Sequence, residues 1–234
     1  MTPGITLITP TGGRSESFAR CTAFVQRFIK PDKVHIQWII IDDCDEIGKS
    51  LYVSGVRCMH VIPQHRWFPG RNTLGQNLLE VVPYVEHDCI LFIEDDDWYA
   101  PEYLKSMYES LQTADIIGEV PARYYHVPSK QYSLQENKKH ASLCQTGIRR
   151  SMLTSLEEIC RSQNSEFIDV RLWKVPSNQK FLETTFCVGM KGLPGRPGIG
   201  IGHRPDHYSR MWNKDSDLTV LRRWIGDDVK MYPI

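Results

Sequence analysis

The sequence predicts an α/β fold: a mostly parallel, doubly wound central sheet flanked by helices. Three observations carry that expectation. Short apolar, β-branched runs alternate with amphipathic stretches at helical spacing through the first half of the chain. The runs are continuous rather than alternating, as expected of strands covered on both faces. Two of them end abruptly in acids, residues 37–41 (QWIII) in Asp42 and Asp43, and residues 89–93 (CILFI) in Glu94, Asp95, Asp96 and Asp97. Open α/β sheets bind their ligands at the carboxyl ends of strands, where these acids sit.

Taken in order, residues 5–9 (ITLIT) are a first strand, closed by Pro10, Thr11, Gly12 and Gly13. Ser15 or Ser17 can cap the next helix, whose apolar positions are Phe18, Cys21, Phe24, Val25 and Phe28. Pro31 ends it. Residues 37–41 are the second strand, 56–62 a short third, and 75–82 (GQNLLEVV) a helix. After the acidic-ended strand, Pro101 and Glu102 open another helix. Residues 116–125 add strand, 151–160 (SMLTSLEEIC) form an amphipathic helix, and 218–224 a short terminal one. Residues 167–173 are apolar with charges at Asp169 and Arg171, which would share a face if this were a strand. Residues 189–204 (GMKGLPGRPGIGIGHR) are rich in glycine and predict a loop able to change shape. A single domain over 1–234 is expected.

At 234 residues the chain is long enough for one sizeable core. Its zero formal net charge makes no case for a nucleic-acid partner and excludes none, because basic patches can sit on a neutral protein. Seven scattered cysteines, never spaced C-x-x-C, point to reduced buried thiols rather than a disulfide framework or zinc knuckle. No apolar run is long enough to span a bilayer, and MTPGITLITPTGG lacks a signal-like start, so a cytoplasmic location is expected.

Clustered carboxylates repel one another and become tolerable when they hold a hard divalent cation such as Mg²⁺ or Mn²⁺. Such a cation can clamp a pyrophosphate. A solvated acidic turn capping the next helix is the plainer alternative; the apolar strand in front and Trp98 and Tyr99 behind weigh against it. Asp43-x-Asp45 does not begin an EF-hand, because no Glu stands at the twelfth position. The turn after the first strand lacks the Lys of a P-loop.

Thr9-Pro10-Thr11, Asp42-Asp43 and FIEDDDWY, in that order on those strands, resemble the GT-A glycosyltransferases, especially the family 2 type. Members commonly read F-L-D-x-D-D where this chain reads Phe92-Ile93-Glu94-Asp95-Asp96-Asp97, which leaves the register of the acids open by one residue. Gly70-Arg71-Asn72 is similar to the family's A-R-N element. The resemblance implies a Rossmann-like GT-A domain in which residues 1–111 bind a nucleotide-sugar, commonly UDP-linked, and 112–234 the acceptor, with inversion at the anomeric carbon. It implies that Thr9, Pro10, Thr11 and Arg71 approach the nucleotide, that Asp42 or Asp43 contacts the nucleoside, and that Glu94 or Asp95 contacts the ribose. Asp96 and Asp97 would hold Mn²⁺ or Mg²⁺, with His203 a further ligand and Lys191 or Arg196 a phosphate contact. Asp169, with Glu166 in reserve, would deprotonate the acceptor. His140 and Trp173 are candidates for the acceptor surface.

TPTG, EDDDWY and the late GLPGR-x-GIG-x-GHR segment also resemble small glycosyltransferases of bacterial viruses and prophages. That resemblance implies a hydroxymethylated pyrimidine in phage DNA as one acceptor and the host cytoplasm as location; a surface glycan or protein is the alternative. For DNA, Arg149 with Arg150, Lys138 with Lys139, and Arg222 with Arg223 are candidate phosphate contacts, though each pair reads more simply as a solvated face. Two other classes compete. A sugar nucleotidyltransferase would carry a glycine-rich loop with a basic residue after the first strand, of which Gly12-Gly13-Arg14 is a fragment. A non-catalytic carbohydrate-binding module would also account for the acids and the six tryptophans. Oligomeric state is not legible in the sequence.

Overall fold

The computed structural model describes residues 3–45, 51–162, 167–198, 203 and 211–234. The first half of the chain supplies β1 (Gly4–Thr11), α1 (Ser15–Arg27), β2 (His35–Asp42), β3 (Arg57–Val61), α2 (Leu74–Val81), β4 (Cys89–Phe92), β5 (Trp98–Tyr99) and α3 (Tyr103–Leu111). The second supplies β6 (Ile116–Glu119), β7 (Ala122–His126), β8 (Gln131–Gln135), β9 (Thr146–Arg149), α4 (Leu153–Arg161), α5 (Ile168–Leu172), β10 (Gln179–Leu182), β11 (Cys187–Lys191), β12 (Asn213–Lys214) and α6 (Thr219–Ile225).

A seven-stranded sheet runs in the order β10-β6-β9-β4-β1-β2-β3, and β9 alone opposes its neighbours. Its inner strands are buried on both faces, the edge strands β3 and β10 are partly exposed, and side chains alternate between two layers. Ile5, Leu7, Trp38, Ile40 and Leu91 pack with Phe18, Cys21 and Phe24 of α1 and Leu104, Met107 and Leu111 of α3. Ile8, Ile39, Ile41, Ile90 and Phe92 pack with Leu78 of α2, Leu156 of α4 and Leu172 of α5. A smaller sheet, β12-β8-β7-β11-β5, extends the first layer through Tyr99, Tyr125, Cys187 and Met190. No helix among the described residues is long and apolar enough to cross a membrane.

Several expectations are corrected. Neither Ser15 nor Ser17 caps α1: Arg14 holds that position without a side-chain cap, and the Ser17 hydroxyl accepts from Arg20 at 2.9 Å. Residues 116–125 are not one strand but β6 and β7, in different sheets, separated at Val120 and Pro121, where proline offers no ladder N–H. Residues 167–173 hold the helix α5 and no strand, so Asp169 and Arg171 do not share a face; Arg171 donates to Ile159 O and to the Ser162 hydroxyl. The glycine-rich segment opens as strand rather than loop, because Gly189, Met190 and Lys191 finish the buried strand β11; residues 199–202 and 204 lie outside the described residues. The second half of the chain also completes the main sheet with β6, β9 and β10, so the two halves interleave.

Candidate active site

Parallel register brings the ends of β1, β2 and β4 to one edge. Thr11 lies opposite Asp42, Ile8 opposite Phe92, and Ile93 N donates to Ile8 O at 2.9 Å. A cleft of about 580 Å³ opens at this edge. Along the acidic run the side chains alternate. Glu94 and Asp96 line the cleft, whereas Asp95 and Asp97 are 1% and 0% exposed and turn inward. Asp95 Oδ2 accepts from Thr11 Oγ1 at 2.7 Å, and Asp97 Oδ1 accepts from Met190 N at 2.8 Å and Lys191 Nζ at 3.4 Å.

Arg14 bridges two of the acids, 2.6 Å from Asp95 and 2.8 Å from Asp96. Burial pushes the Asp96 carboxyl up, but the Arg14 and Lys191 charges, the leading opposing causes, outweigh it, and the group is held at about 2. For Asp95 burial prevails over Arg14 and raises it to about 6. Burial, then mutual repulsion, raises Glu94 and Asp97. Burial opposes the Lys191 charge, yet Asp97, Asp96 and Glu94 keep this ammonium protonated. His203, 3.9 Å from Asp96 Oδ2, is pushed down to about 3 by burial and by Lys191, so its imidazole is neutral. An ionised carboxylate open to the cleft suits Mn²⁺ or Mg²⁺. Asp96 therefore fits the implied cation; His203 stands beside it with Nδ1 accepting from Gly192 N at 3.3 Å, which puts the proton of this neutral ring on Nε2, so His203 joins as a ligand only in the other tautomer.

A second network closes the other end. Asp43 is fully buried; its Oδ2 accepts from Thr73 Oγ1 at 2.5 Å and Asn77 Nδ2 at 3.0 Å, and its Oδ1 from Arg196 at 2.7 Å. Burial raises this carboxyl, but Thr73, Asn77 and Arg196 more than compensate and lower it. Arg196 also donates to Thr73 Oγ1 at 2.6 Å, lies 4.9 Å from the Trp67 ring, and donates its backbone N–H to Gly13 O at 2.9 Å. Gly12, at φ +141°, faces Asp43 so closely that a Cβ would collide with Oδ1.

The sequence profile described as "Glycosyl transferase family 2" matches residues 6–164, about two thirds of the chain. The chain belongs to this family. Among solved structures, a fragment of S. aureus TarS, residues 1–349 in complex with UDP-GlcNAc, resembles this chain in fold with a TM-score of 0.58 at 14% identity, over 99% of this chain and 68% of that one. The same fragment with UDP gives 0.54 at 12%, over 80% and 60%, and longer TarS gives 0.54 at 13%, over 80% and 36%. This family 2 chain thus spans about a third of that longer relative, and identities so low speak for the fold alone. No curated protein matches the sequence.

The family 2 cleft is lined by Pro10, Thr11, Lys191, Arg196, His203 and Asp169, together with Glu94 and Asp96. Asp169, half-buried at the start of α5, accepts from Val170 N at 2.8 Å, and burial raises its carboxyl. Other candidates stand apart from the lining. Thr9 is buried, its hydroxyl accepting from Trp38 Nε1 at 2.8 Å. Asp42 caps the turn after β2, accepting from the backbone of Cys44 and Asp45 at 2.9 and 3.0 Å. Arg71 donates to Arg66 O and Gln76 and does not line the cleft, whereas its neighbour Asn72 does. Trp173 is buried and stacked on Phe181, whereas His140 lines the cleft. Glu166 lies outside the described residues. Arg149 pairs with Asp88 at the amino end of β4, the edge opposite the acids. Arg14, Thr73 and Asn77 are site residues that sequence reasoning missed. Arg14 was legible only as part of a glycine-rich fragment, and Thr73 and Asn77 only as a polar i, i+4 pair opening a helix.

Proposed function

We propose that this chain transfers a sugar, with inversion, from a UDP-linked nucleotide-sugar to an acceptor hydroxyl, using Mn²⁺ or Mg²⁺. One observation carries the reading: Glu94 and Asp96 face the same cleft as Asp169, with Arg14 and Lys191 beside the acids. Asp96 and His203 would hold the cation, which when bound stabilises the negative charge of the departing diphosphate. Asp97, which the resemblance also implies as a ligand, would act behind them through Lys191. Glu94 would accept hydrogen bonds from the ribose, and Asp43 would fix the nucleoside end of the cleft. Arg14 and Lys191 neutralise the phosphates, and Arg196 joins them by exchanging Asp43 for the donor. Asp169 removes the acceptor proton; a carboxyl raised by burial is a better base near neutral pH than an ordinary one. The uridine preference is supported by the UDP and UDP-GlcNAc bound to the TarS fragment.

Towards the acceptor side, Phe167 and Met211 are 58% and 45% exposed cleft-lining residues, and Lys138 and Lys139 stand exposed near His140. An apolar stacking face beside cations suits a hydroxymethylated pyrimidine in DNA, which we propose as the first acceptor to test. A surface glycan is the second.

Thermal unfolding with UDP, with and without Mn²⁺, tests the donor site. A ligand at about a hundred times its dissociation constant adds roughly 2.7 kcal/mol, worth on the order of 2–4 °C per kcal/mol in a chain of this size. A shift that needs both components supports the reading, and no shift with any nucleoside diphosphate overturns it. Transfer to hydroxymethylated DNA that falls steeply with salt supports the DNA acceptor; salt-independent transfer to a neutral saccharide excludes it.

A further inference from the structure

Behind Asp96 the acidic run takes part in a second group of ligating atoms. One carboxylate oxygen each of Glu94 and Asp97 and the Sγ of Cys144 all lie within 4.8 Å of one another. Asp97 is fully buried, and its Oδ1 is engaged by Met190 N and Lys191 Nζ. Its Oδ2 is sealed from solvent and accepts no hydrogen bond of ordinary geometry, although the Cys144 thiol stands close enough to this carboxyl to lower it. A buried carboxylate oxygen left bare is costly, and native proteins resolve such a group with water or an ion. Glu94 and Cys144 both line the cleft, so an ion has a way in.

We infer that Glu94, Asp97 and Cys144 form a site for a thiophilic divalent cation, Zn²⁺ above all, separate from the Asp96 and His203 position. Two carboxylates and a thiolate give three protein ligands and leave a fourth position open to the cleft. The sulfur selects for Zn²⁺ or Cd²⁺ over Mg²⁺ and Mn²⁺. On binding, the Cys144 S–H bond breaks, its proton passes to solvent, and a sulfur–metal bond replaces it. The dication and the Lys191 ammonium together balance the two carboxylates and the thiolate, which suits a buried place. Its consequence for catalysis rests on the proposed function: ligation takes Glu94 away from the ribose, so Zn²⁺ inhibits transfer in competition with the donor.

Cd²⁺ titrated into the purified full chain provides the test, read as the ultraviolet thiolate-to-cadmium charge-transfer band. This signal needs no donor or acceptor, so it fails or succeeds independently of the transferase reading. The expected result is a saturating band in the native protein, lost in Cys144→Ser and retained in Asp96→Asn. Glu94→Gln, at the cleft edge, should keep the band while weakening the apparent affinity by about tenfold or more. Thermal unfolding verifies that each variant is folded, and Glu94→Gln carries the test should Cys144→Ser not fold. Absence of a band in the native protein overturns the site. So does a band undiminished in Cys144→Ser, which would come from the part-exposed Cys44 or Cys58, and so does an affinity unchanged in Glu94→Gln.

Discussion

Asp43→Asn is the substitution whose effect the structure specifies most closely. Asp43 has no solvent exposure, and three side chains converge on it: Thr73, Asn77 and Arg196, at 2.5, 3.0 and 2.7 Å. Asparagine keeps the shape but removes the charge, and turns one acceptor into a donor that faces either the guanidinium or two other donors. A hydrogen bond to a charged group contributes about 1.5–3 kcal/mol, so the variant should unfold about 3–12 °C lower. Arg196→Ala alone leaves Asp43 its Thr73 and Asn77 partners. In a double-mutant cycle the two positions should therefore couple by about 1–3 kcal/mol. The pH dependence has a definite sign. The folded carboxyl is lowered, so its stabilisation is complete above the unfolded value of about 3.9 and is lost as pH falls through the lower folded value. The stability gap between wild type and Asp43→Asn should be constant at neutral pH and close only in acid. A variant within about 0.5 kcal/mol of wild type, the scatter of ordinary surface changes, would refute the claim that an ionised Asp43 ties β2, α2 and the glycine-rich loop together.

Asp96→Asn should remain folded and lose metal-dependent turnover, measured as nucleoside diphosphate release; near-normal activity would mean that another acid holds the cation. Asp169→Asn should bind donor normally and lose transfer by about 10²–10⁴-fold, the range for a general base. Because burial raises Asp169, the acid limb of the wild-type rate profile should stand above the ordinary carboxylate value of about 3.9, activity falling as pH drops through it. An acid limb at or below that value would count against Asp169. Gly147→Ala in β9 would set a Cβ 2.6 Å from Leu91 Cδ2 and 3.2 Å from Leu111 Cδ1. Overpacking of this kind costs about 1–3 kcal/mol, visible as a lower urea midpoint with an unchanged slope.

The sequence by itself determined the parallel core and the acidic edge. Periodicity is local: the apolar runs of β1, β2 and β4, and the acids ending two of them, could be read without any partner strand, because a strand buried on both faces must be apolar throughout. The α5 segment was not legible in the same way. Seven residues holding two charges fit a strand face or a helical turn equally, and Phe167 enters α5 at a positive φ that composition does not announce. The split of 116–125 into two sheets depended on which strands stood nearby.

Only the tertiary structure decided which acids face which way. Four consecutive carboxylates are equivalent as letters; they became distinct when Thr11 and Arg14 drew Asp95 inward, Met190 and Lys191 drew Asp97 inward, and Glu94 and Asp96 remained on the cleft. Asp42 and Asp43 were separated likewise, one by backbone donors of its own turn, the other by side chains 30, 34 and 153 positions further along the chain. Charge, burial and hydrogen bonding at a site are set by groups distant in sequence. The position of a strand end can be read from its own residues, but the direction in which a carboxylate points is fixed by those that fold against it.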